Sequence, residues 1–502
     1  MVDKYRKPFL IVFSSNLLTK AIGFLKEILL GWTFGATKVL DNFLFITSIP
    51  NLINATWNRA IETVLLPSYM DNINKYGEDR ANKFLAQFIQ ILSILSIGIW
   101  ILLFTVIDYG LRVLYGGLYE IEILWSARIV CLAIIVETII LTLKVKNFSQ
   151  KRYFWPTILP IFQSSALVLG LLVFRNKLNL KFLSIIYVIG TSIQIFLIIK
   201  WGWFWSNIKT IKLSVLGSFG QLIKNGMFLA IAAGISTLNI FVDKAFALRI
   251  SEGSITIIHY GAFFLTIYQF LFVQSISTIF YPQFQEYVNI NNINDLESDS
   301  KKIVKVIFIV FAVISIIIIN NGYYLLKIVL GHGKMKSDTI KLIYQCLLAY
   351  GLTFLGIGLN AVLIRVLHVF KKFKFIFYVS IINFTANLVF NYLFTILFGI
   401  WGIPLSTSVS FIIIISFYFI YIKKNIGILL INFRDNWYLR YGGAVSILIF
   451  LEILLLLSTK RSVFFENPIL NIFVFILDIG VLFLIFYIFK IISFKSKRVI
   501  IH

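Results

Sequence analysis

Runs of about 20 apolar residues, each long enough to cross a bilayer as one helix, recur from end to end of this 502-residue chain. Backbone polar groups have no water partners inside lipid, so segments of this length cross it as helices. Hydrophobic residues make up 59% of the chain and aromatic residues 17%. The pattern therefore predicts an all-α polytopic membrane protein.

The apolar runs predict about fourteen membrane-spanning helices. Their predicted bounds are 8–33, 39–68, 84–113, 120–143, 154–174, 180–205, 217–248, 256–284, 303–330, 338–367, 373–397, 399–422, 440–459 and 467–493. An even number of spans places both termini on one side of the membrane. Lys and Arg concentrate in the N-terminal segment and in alternate loops, as at Lys4, Arg80 and Lys151. The positive-inside rule assigns these segments, and so both termini, to the cytoplasm.

The charge and the cysteines exclude several classes of protein. The formal net charge is +24, but the basic residues lie in short loops between spans, which indicates contact with anionic membrane lipids and no nucleic acid. Cys131 and Cys346 both lie in apolar segments and form neither a disulfide framework nor a zinc motif. The four histidines show no ligand spacing. We expect no metal, no cofactor and no catalytic residue.

Two short motifs repeat at one interval. Pro67 near the end of span two and Pro282 near the end of span eight are 215 residues apart, as are Gly116 after span three and Gly331 after span nine. A period of six spans, being even, keeps both copies in the same orientation.

This parallel repeat predicts two six-helix lobes, 1–205 and 217–422, followed by an extra helix pair within 440–493. Transporters of this design bind substrate between their halves.

Polar residues inside the apolar runs are the candidate site, because a charge facing lipid costs several kcal/mol. At about 100° per residue, Lys20, Gly23, Lys26 and Glu27 share one face of the first helix, which predicts a charged cavity inside the membrane. The other predicted substrate-binding residues are Asp41, Asn51, Asn54 and Arg59 in span two and Asp243 and Lys244 in span seven. The alternative is that Arg59–Glu62 and Asp243–Lys244 are local neutral pairs.

The first span has more positive than negative charge, which an anionic substrate would balance. A polyprenyl pyrophosphate fits, because ammonium groups hold its head and Asn side chains bind the hydroxyls of its glycan. Its tail needs an apolar groove, which the pair 440–459 and 467–493 is expected to supply.

Several motifs in order resemble one family. They are residues 14–27 (SSNLLTKAIGFLKE), 34–37 (FGAT), 40–43 (LDNF), 49–52 (IPNL), 243–245 (DKA) and 330–335 (LGHGKM). They resemble the MurJ/MviN lipid II flippases of the MOP exporter superfamily. The resemblance implies alternating access of two lobes around a cationic cavity in the bacterial cytoplasmic membrane. The implied substrate is the lipid-linked glycopeptide precursor of peptidoglycan.

By this resemblance Lys20 and Lys26 stand where the family usually has arginines that contact the substrate head. Ammonium groups keep the charge but lose the bidentate fork. After the IPNL motif the family commonly has an arginine, and this chain has Asn54 or, with a shifted register, Arg59. Residues 261–264 (GAFF) replace an Asp-Arg pair of span eight. The predicted cavity is therefore less cationic than is usual in the family, so a Wzx-type flippase of O-antigen or capsule precursors remains the alternative.

Two further classes fit less well. A membrane glycan ligase or polymerase usually needs a large external loop with catalytic groups, and no loop here exceeds about 20 residues. A MATE-type antiporter would need an acidic cavity. We therefore expect a transporter and no enzyme, driven by an ion gradient or the membrane potential. The sequence does not identify the glycan, the coupling ion, the oligomeric state or the envelope type.

Overall fold

The computed structural model describes residues 2–60, 65–117, 119–174, 178–198, 214–432, 435–458, 480–481, 484–489, 491–495 and 498–501. These residues are almost entirely helical, which confirms the all-α polytopic membrane fold. Within the described residues, nine segments are long and apolar enough to cross a bilayer. The count of fourteen stays a prediction.

Helices up to residue 248 are mostly long and joined by short loops. They are α1 (Val2–Phe34), α2 (Lys38–Ile46), α3 (Ser48–Ala60), α4 (Leu66–Tyr76), α5 (Glu78–Leu114), α6 (Ile121–Cys131), α7 (Ala133–Ser149), α8 (Phe154–Ile158), α9 (Pro160–Val173), α10 (Leu180–Ile198) and α11 (Ser214–Leu248).

The rest of the chain continues in the same manner. The helices are α12 (Ser254–Gly261), α13 (Phe263–Tyr268), a π-helical turn (Gln269–Val273), α14 (Gln274–Asn289), α15 (Ile293–Leu330), α16 (Ser337–Ala349), α17 (Gly351–Val369), α18 (Phe373–Phe398), a 3-10 turn (Gly399–Trp401), α19 (Gly402–Asn425) and α20 (Asn436–Ser458). Strands β1 (Ile492–Lys495) and β2 (Arg498–Ile501) form a small antiparallel hairpin with Ile492 opposite Ile501. The predicted last span, 467–493, lies mostly outside the described residues, and its end is strand from Ile492 onward.

Several predicted spans consist of two helices with a break between them. Thr47 separates α2 from α3, and Leu132 separates α6 from α7. Pro50 and Pro160 lie in the first turns of α3 and α9, where a missing N–H breaks no helical hydrogen bond. At these two positions proline marks the start of a helix.

The breaks and helix starts follow the interval of the sequence repeat. Thr47 and Ala262, which divides α12 from α13, are 215 residues apart. So are Glu78 and Ile293, which begin α5 and α15. The shared interval supports the predicted parallel repeat.

By contact the chain forms two compact units. The first contains Met1–Thr256 and Gly333–Met335, and the second contains Ile257–His332 and Lys336–His502. Helix α11 lies along α3 so closely that a Cβ on Gly234 would stand 2.4 Å from Thr56 Oγ1. This helix therefore belongs to the first unit by contact, whereas the division into lobes at 205–217 stays a prediction.

A cluster of apolar side chains holds the first unit together. Leu85 and Leu92 of α5 are buried against Ile140 and Leu143 of α7. Elsewhere in this unit the Lys334 N–H donates to the carbonyl of Trp32 at 2.8 Å. Gly333 has a φ of +66°, and a Cβ there would lie 2.1 Å from the same carbonyl oxygen. Only glycine fits this approach.

In the second unit α20 lies against α15. Trp437 and Tyr441 stack with ring centroids 5.4 Å apart and are buried beside Ala312. Lys305 Nζ lies 3.4 Å from Asp435 Oδ2, and Asp435 Oδ1 accepts a hydrogen bond from the Trp437 N–H at 3.1 Å. The start of α20 is thus held by both a cap and an ion pair.

Candidate functional site

The charged residues of α1 lie beside open space. Lys26 Nζ is 2.8 Å from Glu27 Oε1, and the two side chains are only 23% and 19% exposed. Lys20, fewer than two turns earlier, is exposed and has Lys26 as a charged neighbour. A Cβ added at Gly23 would meet none of the described atoms within 4 Å. None of the described residues therefore covers this face of α1 at Gly23.

A lysine from another helix donates a hydrogen bond to the C-terminal end of α2. At the break after Ile46, the carbonyls of the last turn lack their usual helical partners. The Thr47 hydroxyl donates to the Phe43 carbonyl at 2.8 Å, and Lys244 Nζ donates to the Leu44 carbonyl at 2.7 Å. A cation at a helix C-terminus also meets the negative end of the helix dipole. Lys244 thereby stabilises a break that lipid alone would not tolerate.

Lys244 also interacts electrostatically with charged residues of α1. Glu27 and Lys26 are the charged groups whose fields reach its ammonium group. In the first unit, Lys26 therefore contacts Glu27 and lies within electrostatic reach of both Lys20 and Lys244. Cations outnumber anions among these four residues.

Asp41 is held by the loop that precedes α12. Its side chain is 3% exposed. Its Oδ1 accepts from the Thr256 N–H and the Thr256 hydroxyl, both at 2.7 Å, and its Oδ2 accepts from the Gly253 N–H at 2.6 Å. These donors lie at the start of α12, where an anion is favoured. The contacts give Asp41 a positioning role, while its contact with substrate stays a prediction.

The remaining predicted residues are dispersed. Asn51 is exposed, whereas Asn54 and Asp243 are 5% and 8% exposed. The side chain of Arg59 lies outside the described part of the structure, as does the whole of Glu62.

Sequence reasoning missed Glu137. It lies in α7, in the second half of the predicted span 120–143. Asn54 Nδ2 donates a hydrogen bond to Glu137 Oε2, which joins α3 to α7. The rule that marks carboxylates inside apolar runs as functional candidates applies equally to this residue and would have found it.

Comparison with known proteins decides the family. The family model described as lipid II flippase MurJ matches residues 31–486. The chain belongs to the MurJ family. The match confirms the resemblance seen in the motifs, and MurJ proteins are transporters.

Curated MurJ relatives align over most of the chain. A probable lipid II flippase MurJ of Borreliella burgdorferi is 23% identical over 444 residues, covering 86% of each chain. A probable lipid II flippase MurJ of Thermotoga maritima is 22% identical over 415 residues, covering 79% of this chain and 81% of the relative.

Solved structures share the fold. A lipid II flippase MurJ in an inward closed conformation superposes with a TM-score of 0.74 at 18% identity, covering 96% of this chain and 98% of that one. An inward-facing MATE family multidrug transporter of the MOP superfamily gives 0.64 at 11% identity, covering 84% and 98%. The fold is thus common to MurJ and MATE proteins, and the family match assigns this chain to the MurJ family.

Proposed function

We propose that this MurJ-family protein moves lipid II, a polyprenyl-pyrophosphate-linked precursor of peptidoglycan, from the inner to the outer leaflet of the bacterial cytoplasmic membrane. The family match over residues 31–486 supports this function. The observation that carries the choice of substrate chemistry is the face of α1, where Lys20 and Lys26 border open space. Ammonium groups in such a place bind a phosphate-bearing head.

In the proposed binding step the pyrophosphate replaces Glu27 as the partner of Lys26. The Lys26–Glu27 pair is only partly exposed, so both groups are compensated while the site is empty of substrate. A pyrophosphate carries more negative charge than one carboxylate and attracts Lys20 as well. Substrate binding thereby rearranges an existing ion pair and does not require an uncompensated charge to be buried.

Movement of the head across the membrane is proposed to follow alternating access of the two lobes. The partners are the lipid-linked glycan and the surrounding membrane lipids, and both termini face the cytoplasm. An inside-negative potential favours outward movement of an anionic head by about 2.3 kcal/mol per charge per 100 mV. The predicted helix pair 440–459 and 467–493 is proposed to supply the apolar groove for the polyprenyl tail.

The test uses a strain in which the native flippase is depleted and the variant is expressed from a plasmid. Lys20→Ala and Lys26→Ala are expected to insert normally and to fail to support growth, because each removes a charge that holds the pyrophosphate. Lys75→Ala is the matched control, since Lys75 is an exposed lysine in the last turn of α4. Full-length lipid II is expected to accumulate in the inner leaflet of the two failing strains.

Two results would contradict the proposal. Normal growth of both alanine variants would show that neither lysine is required for transport. Accumulation of a different lipid-linked glycan, identified by mass spectrometry, would favour a flippase of surface polysaccharide. Accumulation of unpolymerised glycan on the outer leaflet would favour an enzyme.

A further inference from the structure

An amide and a carboxyl group meet between α3 and α7, away from the lysines of α1. Asn54 Nδ2 donates to Glu137 Oε2. The Asn54 side chain is 5% exposed, and its Oδ1 is buried without a hydrogen-bond donor among the described residues. Glu137 is only half-buried. The pair therefore joins an unsatisfied acceptor to the carboxyl group of a half-buried residue.

The unsatisfied oxygen indicates the protonation state of its neighbour. A carboxylate has only acceptors, so it cannot donate to Asn54 Oδ1. A buried acceptor without a donor costs about 1–3 kcal/mol. A protonated Glu137 removes this cost, because its O–H can donate to the amide oxygen while its carbonyl oxygen accepts from the amide N–H. Acid and amide then form a reciprocal pair with two hydrogen bonds.

We propose that Glu137 and Asn54 form a proton-binding site in the first unit, occupied while α3 and α7 are packed as described here. The proton comes from water and binds a carboxylate oxygen of Glu137. Its release to water leaves a carboxylate and an amide oxygen without a donor, which weakens the contact between α3 and α7. This site stands independently of the proposed substrate.

The groups around the carboxyl come from several helices. On α7 itself, Lys144 is the charged side chain whose field reaches Glu137, two turns away. Tyr187 of α10 lies within electrostatic reach of Glu137 and of Cys131 of α6, and Gln163 of α9 is its hydrogen-bond neighbour. These neighbours are neutral at physiological pH apart from Lys144. Protonation of Glu137 therefore changes the charge of the whole cluster by one unit.

Infrared difference spectroscopy of the full-length protein in lipid nanodiscs tests the proposal. The wild type is expected to show the C=O stretching band of a protonated carboxylic acid that disappears on raising the pH. Glu137→Gln is expected to abolish this band, and Asn54→Ala to shift it, because one hydrogen bond to the acid is lost. Glu286→Gln, which changes an exposed glutamate of α14, is expected to leave the band unchanged. Identical bands in the wild type and in Glu137→Gln would overturn the proposal.

A second measurement does not depend on assigning a band. The side-chain amide introduced by Glu137→Gln can pair reciprocally with Asn54, so this variant mimics the protonated state and is expected to fold. Cysteines placed on α3 are expected to become more reactive toward a maleimide at high pH in the wild type. In Glu137→Gln only the rise that comes from ionisation of the cysteine thiol itself is expected to remain, so the rise is expected to be larger in the wild type. The same pH profile in both proteins would show that another group titrates.

Discussion

Lys244 Nζ donates to the Leu44 carbonyl at 2.7 Å, so that a cation of α11 completes the interrupted end of α2. The two residues are 200 positions apart in the chain. The same ammonium group lies within the electrostatic reach of Glu27 and Lys26 of α1. Lys244 therefore stabilises the break after α2 and also adds a positive charge near the charged residues of α1.

Replacing Lys244 with Met is expected to destabilise the protein. Methionine keeps much of the length of the side chain but cannot donate, and a charge-assisted hydrogen bond of this kind contributes about 1.5–3 kcal/mol. Thermal unfolding of the detergent-purified protein measures the loss. Lys341→Met is the control, since Lys341 forms only an exposed ion pair with Asp338 and is expected to shift the midpoint little. Equal midpoints for the two variants would show that the contact with Leu44 contributes nothing.

Asp41→Asn tests the cap of α12. An amide cannot accept with both of its ends, so at least one of the three donors from Gly253 and Thr256 loses its partner. We expect a loss of about 1–3 kcal/mol in unfolding free energy. Asp338→Asn, at a side chain that is 90% exposed, is the matched control. Retention of wild-type stability in Asp41→Asn would show that the cap is dispensable.

Gly333→Ala and Gly116→Ala separate steric conflict from backbone strain. Both glycines have a similar positive φ, +66° and +68°, so alanine costs about 1–2 kcal/mol at either position. Only at Gly333 would the new Cβ also meet a backbone oxygen, that of Trp32. The drop in unfolding temperature is expected to be larger for Gly333→Ala. Similar drops would show that the Trp32 segment shifts to make room.

The stability of the fold is expected to depend on pH through the ionisation of Asp435. The hydrogen bond from the Trp437 N–H, together with the charge of Lys305, lowers the pKa of Asp435 below its ordinary value. Because the folded-state pKa is the lower one, the ionised group stabilises the fold above about pH 4, and this contribution is lost as the pH falls through the folded-state pKa. Asp435→Asn is therefore expected to unfold at a lower temperature than the wild type at pH 7 and to differ less from it in acid. A constant difference across this range would contradict the assignment.

The class of fold and the family could be predicted from the sequence, because both depend on local patterns. Apolar runs of span length identify helices without any knowledge of their packing. The face of Lys20, Gly23, Lys26 and Glu27 follows from helical periodicity alone, and the structure leaves open space there. Short ordered motifs such as residues 14–27 identified the MurJ family.

The features that were not predicted depend on distant contacts. The break at Leu132 has no proline or glycine at that position, so hydropathy gave one continuous span. The capping role of Asp41 was not predicted, because its partners, Gly253 and Thr256, are more than 200 residues away in the chain. Its contact with substrate stays a prediction. Glu137 is different, because it is a single carboxylate inside an apolar run and its position in the sequence alone marks it as a functional candidate.

The hydrogen bonds between Asp41 and Thr256 cross 215 residues, which is also the spacing of the duplicated motifs. If the repeat arose by duplication, position 41 touches its own copy. An ancestor with aspartate at both places would have pressed two like charges together, and one with threonine at both would have lacked a carboxylate to cap the helix. Because the two positions differ, the carboxylate at one of them can cap the helix that begins beside the other.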